Sequence, residues 1–186
     1  MLDLAGKTFA IFGLKGTGKT VLAKYILKQS NAGFVYDVLH EYRGFNRYIV
    51  SNRQHTQKAI EELNLFVSRV IIGSKKIRLF ILDEANRYCP PKPQPLPESI
   101  LELNDFNRHY NISFGIIARR PTQLHTDLVE LANYLFIFQL KGKNDIAYLD
   151  NLASGLGDAV VNLPPYHFVQ VNPNHTFQVQ QPVAIS

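Results

Sequence analysis

The sequence contains a single cysteine, Cys89, so no internal disulfide can staple the chain. A lone thiol among prolines fits a reducing compartment and leaves the fold to its core. No apolar run approaches the ~20 residues needed to span a bilayer. The apolar stretch near the N-terminus is too short for a signal peptide and runs into a Gly-rich loop, not a cleavage site. The six histidines are scattered, with none of the His/Cys/Asp spacings of a metal site. No nucleophile elbow supports a Ser/His/Asp hydrolase. Repeats, low-complexity blocks and linkers are absent. A chain of 186 residues fits one domain, 1–186, with about 164–186 read as terminal strands and tail. The formal charge of +5 permits a polyanionic partner without requiring one.

What is present is concentrated in one stretch. Gly13, Leu14, Lys15, Gly16, Thr17, Gly18, Lys19 and Thr20 fit G-x-x-x-x-G-K-[ST], the phosphate-binding loop. Residues 8–12 before it read as a buried strand, and 21–28, starting at Val21, as a helix. Glycines let the backbone curl so that N–H groups face phosphate oxygens, and the helix N-terminus adds its dipole. Lys19 reaches the β- and γ-phosphates in such a loop, and the Thr20 hydroxyl holds Mg²⁺. ATP and Mg²⁺ are therefore the expected cofactors.

Further strands are expected at 33–38, 48–51, 77–82, 112–118, 134–140, 166–171 and 176–179. Helices are expected at 56–72, 98–110, 122–132 and 144–153, the second with Ile100/Leu101, Leu103/Asn104 and Phe106 facing inward. Strands alternating with helices predict an α/β fold with a mainly parallel central sheet flanked by helices. The run 77–82 is apolar on both faces, as in a central parallel strand. Residues 86–97 are proline-rich and predict an irregular connection.

Chemistry collects where these strands end. Asp83 follows an apolar strand, the Walker B position that binds Mg²⁺ directly or through water. A metal needs one acid there. The second, Glu84, suits a general base or orienter of water attacking the γ-phosphate; its structural alternative is an acid favoured by a helix start. Arg119 and Arg120 end the strand 112–118, and Arg108 ends the helix before it. Each is a candidate to contact the γ-phosphate, to reach a neighbouring subunit's site, or to serve structure. Between residues 43 and 58, Arg43, Arg47, Arg53 and Lys58 alternate with Phe45 and Tyr48. That mixture suits a nucleic-acid backbone or a solvated loop. Lys15 is the third loop position, whereas partition and septum-site ATPases carry their signature lysine at the second, so their pattern does not fit.

Several segments together resemble the HerA/FtsK class of DNA-pumping ATPases. Asp37-Val38-Leu39-His40-Glu41-Tyr42-Arg43-Gly44 looks like D-x-x-x-E-Y-x-G. Asp83-Glu84-Ala85-Asn86-Arg87-Tyr88-Cys89-Pro90 looks like D-E-A-H-[RF]-[FY]-x-P with Asn86 in place of His. Arg108 through Arg120-Pro121 looks like R-x-x-G-I…T-Q-R-P, with Arg119 where the family has a sensor glutamine. Phe138-Gln139-Leu140 through Asp145 fits F-R-L…D. The resemblance implies a RecA/ASCE-like P-loop NTPase with the loop strand between the strand ending in Arg119-Arg120 and the last core strand.

Cellular members of the class carry additional domains, and 186 residues hold the ATPase core alone. Bare cores of this size resemble the genome-packaging ATPases of tailless icosahedral viruses with an internal membrane. The implied function is ATP-driven translocation of double-stranded DNA into a preformed capsid. The implied assembly is a homo-oligomeric ring, hexamer or pentamer, at a virion vertex or in the host cytoplasm, facing capsid-vertex or inner-membrane proteins. Arg43, Arg47, Arg53, Lys75, Lys76 and Lys92 form the pool of DNA-binding candidates. The alternatives are a cellular or plasmid HerA/FtsK-like DNA-processing ATPase, a phage-assembly ATPase, and, in another class, a P-loop small-molecule or nucleotide kinase.

Overall fold

The computed structural model describes residues 4–52 and 56–184. Its strands are β1 (Thr8–Phe12), β2 (Gly33–Asp37), β3 (Arg47–Ile49), β4 (Leu79–Leu82), β5 (Ser113–Ala118), β6 (Tyr134–Phe138), β7 (Phe168–Val171) and β8 (Phe177–Gln180). Its α-helices are α1 (Lys19–Lys28), α2 (Gln57–Phe66), α3 (Glu98–Phe106), α4 (Thr126–Glu130), α5 (Lys143–Leu152) and α6 (Leu156–Val161). The strands form one sheet in the order β3-β2-β4-β5-β1-β6-β7-β8. The first six strands in that order run parallel, and β7 and β8 add an antiparallel edge. β1 lies between β5 and β6, as the motif resemblance implies.

Every residue of β1, β4 and β5 is buried because both faces of the sheet are covered. Alternation deals these residues to two cores. Phe9 and Ile11 pack with Leu22, Ala23, Ile26 and Leu27 of α1 on one face. Ala10 and Phe12 join Phe80, Leu82, Phe114 and Ile116 under the remaining helices on the other. Gly115 makes room for this packing, since a Cβ there would strike the Phe9 ring.

Some boundaries differ from the periodic reading. The helix expected over 56–72 is α-helical to Phe66 and then continues as a π-helix over Val67–Ile72, closed by the Gly73 N–H donating to the Ser68 carbonyl at 3.0 Å. Helix α3 stops at Phe106. Just beyond it, the buried Asn107 amide donates to the Gly6 and Ile112 carbonyls at 3.0 and 3.1 Å. Leu101 and Phe106 were expected to face inward, yet they are 45% and 49% exposed. Ile100 and Leu103 carry the buried stripe instead. The 122–132 stretch divides into a 3₁₀ turn at Pro121–Gln123 and the short α4. Helix α6, entered through Gly155 at φ +79°, had no counterpart in the sequence reading.

Candidate active site

All six parallel strands end at one edge, and five of them, β1, β2, β4, β5 and β6, contribute to the site. The register pairs Phe12 with Ala118 and Leu82 with Ile116, so β1 and β5 finish level and β4 stops two residues earlier, which brings Asp83 and Glu84 up to the same line. The phosphate loop, the Asp83-Glu84 pair and Arg119 therefore meet there. β2 contributes the 37–42 turn from one side, and β6 contributes Phe138 from the other.

The loop conformation depends on its glycines. Gly16 and Gly18 have φ of +79° and +113°. A Cβ on Gly18 would sit 3.0 Å from Phe138 Cε1. The Lys19 ammonium reaches back across the loop and donates to the Gly13 and Leu14 carbonyls at 2.7 and 2.9 Å. Burial pulls this lysine below its usual value; Glu84 and Asp83 oppose that, Arg119 reinforces it, and Glu41 opposes it. Lys19 thus sits between the acids and the loop, in place for a phosphate.

The acidic side of the site is crowded. Asp83 is 4% exposed, and the Glu84 N–H donates to its Oδ1 at 2.9 Å. Burial pushes the Asp83 carboxyl up to about 7. Glu84 adds to the rise, the Glu84 N–H works against it, and Glu41 and Asp37 add further. Glu84 adopts the left-handed region at φ +49°, a strained conformation for a non-glycine residue. Its Oε2 lies 3.7 Å from Arg119 Nε and 3.8 Å from Arg87 Nε. A cleft of about 540 Å³ opens here, bounded by Leu14 and Lys15 of the loop and by Glu84, Asn86, Arg87, Arg119, Arg120 and Gln123. The Asn86 Oδ1 is buried without a hydrogen-bond partner among the described residues.

Sequence reasoning assigned no role to Glu41, although it lies within a quoted segment. Its Oε2 accepts a hydrogen bond from the Thr20 hydroxyl at 2.9 Å. Asp37, fully buried, fixes that turn by accepting from the Glu41 and Tyr42 N–H groups at 2.9 and 3.1 Å and from Arg47 Nη1 at 2.8 Å. The D-x-x-x-E-Y spacing is thereby a folding unit, with one carboxylate capping a turn that presents the other to the loop.

The arginines separate. Arg119 faces Glu84. Arg120 turns to the buried Asp145, with Nε 3.7 Å from Oδ2, and Thr122 donates to the other carboxylate oxygen at 2.6 Å. Arg108 is exposed in the turn before β5, at the opposite edge of the sheet from the phosphate loop, and so does not reach the loop of its own chain. The basic pool also divides. Arg47 is bound to Asp37, and Lys92 pairs with Asp127 at 2.7 Å. Arg43 is exposed beside the nucleotide edge, whereas Lys75 and Lys76 are exposed before β4, at the far edge. Arg53 lies outside the described residues. Tyr48 does not offer a free stacking face: it stacks on Tyr36 at 5.3 Å and packs on Phe66 at 4.4 Å, and its hydroxyl donates to Glu62.

No family model matches the chain. Among solved structures, the genome packaging NTPase B204 of Sulfolobus turreted icosahedral virus 2, in complex with ATP-gammaS, superposes with a TM-score of 0.80 at 20% identity, covering 98% of this chain and 100% of that one. This chain shares the fold of that packaging NTPase. The N-terminal domain of zonular occludens toxin from Neisseria meningitidis shares this fold more distantly, with a TM-score of 0.59 at 12% identity over 95% of this chain and 94% of that one. At these identities the likeness is one of fold. In sequence, the chain is 25% identical over 111 residues to a probable DNA double-strand break repair helicase HerA of Methanocaldococcus jannaschii. That match takes in 59% of this chain and 22% of the archaeal protein. The motif-based resemblance and the fold agree.

Proposed function

We propose that the chain is an ATPase that drives double-stranded DNA, in the first place a viral genome into its capsid. The observation that carries hydrolysis is the level placement of Asp83-Glu84 beside the phosphate loop, with Glu84 facing the loop-side cleft and Arg119. A site built only to bind a triphosphate needs no second buried acid there. The genome-packaging reading is supported by the fold likeness to B204, which extends over nearly all of both chains.

In this reading, backbone N–H groups of the loop and the Lys19 ammonium bind the β- and γ-phosphates. Lys19 exchanges its bonds to the Gly13 and Leu14 carbonyls for phosphate oxygens. The residues present fit Mg²⁺. Asp83 is a buried oxygen donor that forms no salt bridge among the described residues, and the Thr20 hydroxyl stands at the start of α1, bound to Glu41. Among the described residues no cluster of three or more His, Cys, Asp or Glu stands ready to hold a metal. That suits an ion bound by one or two protein oxygens together with phosphates and water. Bound Mg²⁺ would neutralise charge developing on the β- and γ-oxygens. Glu84 orients a water and takes its proton as oxygen attacks the γ-phosphorus and the bond to the β-phosphate oxygen breaks. Arg119 stabilises the charge that spreads over the transferred group.

Double-stranded DNA and a ring of identical subunits follow as partners. One small domain cannot surround a ~20 Å duplex, and a motor must hold it while one subunit resets. Arg108, exposed at the edge opposite its own loop, is read as a candidate to reach a neighbour's site. Arg43, Lys75 and Lys76 are the exposed candidates for phosphate contacts in the pore. No helix among the described residues is long and apolar enough to cross a membrane. We place the protein at a virion vertex or in the host cytoplasm.

The likeness to a HerA helicase favours one alternative, a DNA-processing ATPase of a cell or plasmid. Phosphate release measured with and without duplex DNA, alongside mass measurement of the assembly, tests the proposal. DNA-stimulated release from a ring is expected. A DNA-indifferent monomer that phosphorylates a small acceptor would replace it with a kinase.

A further inference from the structure

The phosphate loop forms only one wall of a larger pocket of about 610 Å³. Lys15 to Val21 line one side. The opposite wall comes from Phe138 and from Tyr166, Pro182 and Val183, the last three of which no motif singled out. These residues are brought together by the antiparallel edge of the sheet. β8 returns along β7, pairing Gln180 with Phe168, so the chain beyond β8 arrives beside the turn that precedes β7.

That turn and that tail are tied to each other. The His167 N–H donates to the Pro164 carbonyl at 3.2 Å, closing a four-residue turn with Pro165 second and Tyr166 third. One ring nitrogen of His167 meets the Pro165 carbonyl at 3.1 Å, and the other meets the Gln181 side-chain oxygen at 3.0 Å. Val183 then packs against the core face that includes Phe138 and Phe168.

Tyr166 is the unusual member. Its φ is +64°, at a turn position that glycine or asparagine normally takes. A bulky residue there costs stability, and Tyr166 is still 60% exposed. Burial therefore does not explain it. A ring held at that cost on the rim of a pocket whose other end binds phosphate suits stacking on a planar group.

We propose that Phe138, Tyr166 and the Pro182–Val183 segment form the base-binding wall of the nucleotide site, with the nucleoside base of the bound triphosphate as its occupant. The inference rests on the reading of residues 13–20 as a nucleotide site. It adds that the chain beyond the last strand is part of that site.

The test compares ATP with inorganic tripolyphosphate, which carries the phosphates but no base. Binding of each is measured by calorimetry on the full chain, for the wild type, Tyr166→Gly, Tyr166→Phe and Val183→Asp. Tyr166→Gly relieves the backbone strain, so loss of folding does not confound it. The wild type and Tyr166→Phe should bind ATP more tightly than tripolyphosphate. Tyr166→Gly and Val183→Asp should lose about fivefold or more in ATP affinity while holding tripolyphosphate unchanged. ATP affinity within twofold of wild type in both variants overturns the base wall. So does an equal loss for both ligands, which would make these residues structural supports. Failure of the wild type to bind either ligand would instead overturn the nucleotide-site reading on which the wall depends.

Discussion

Replacing Asp83 with asparagine should stabilise the protein at neutral pH while disabling its site. Asp83 is buried beside Glu84, with Glu41 and Asp37 nearby, and its carboxyl is pushed from 3.8 up to about 7. Between those values the folded chain holds a proton that the unfolded chain has released, so stability falls as pH rises through the window. Ionising this group in the fold then costs about 4 kcal/mol at pH 8 and about 1.5 kcal/mol at pH 5. Asparagine resembles the protonated carboxyl in shape, can still accept the Glu84 N–H, and never ionises. Thermal unfolding followed by circular dichroism, without nucleotide or divalent cation, should show Asp83→Asn melting roughly 5–15 °C above wild type at pH 8, with the gap shrinking to under half at pH 5. Saturating Mg²⁺ and ATP should narrow the gap at pH 8 by stabilising only the wild type. A variant no more stable than wild type at pH 8, or a gap that does not shrink on acidification, would refute the burial argument.

Three further substitutions probe the loop and its supports. Lys19→Ala removes the ammonium that reaches back across the loop and should weaken ATP binding about 10- to 100-fold by calorimetry; unchanged affinity would remove the phosphate-loop assignment. Gly18→Ala places a Cβ 3.0 Å from the Phe138 ring at φ +113°, so a melting temperature lower by several degrees is expected and an unchanged one would contradict the geometry. Asp37→Ala leaves Arg47 and two N–H groups without their acceptor and should cost about 3–5 kcal/mol in chemical denaturation; a loss below about 1 kcal/mol would mean that Asp37 does not fix the Glu41 turn.

The parts of the site that could be read from sequence are those whose signal is local. Residues 8–12, the loop and the start of α1 form one continuous stretch in which glycine spacing and apolar content carry the conformation. Asp83 and Glu84 were legible because an apolar strand points at them. Other features depend on distant partners. That Glu41 meets Thr20 requires β2 and β1 to end at the same edge, with β4 and β5 between them. The Tyr166 wall requires a hairpin to carry residues 182–183 back across the sheet edge. Charge and aromaticity misled where the side chain had a buried use. Arg47 is held by Asp37, and Tyr48 belongs to an aromatic cluster with Tyr36 and Phe66. Helical periodicity could not tell that Leu101 and Phe106 face outward, because their spacing also fits the stripe of Ile100 and Leu103.

The most direct measurement is made on Glu84→Gln, which keeps the shape of the side chain and removes its charge. ATP affinity and phosphate release should be recorded on the same preparation. Affinity within about twofold of wild type, with release slowed about 100-fold or more, is the expected result. Release at close to the wild-type rate would contradict the assignment of Glu84 as the group that activates water.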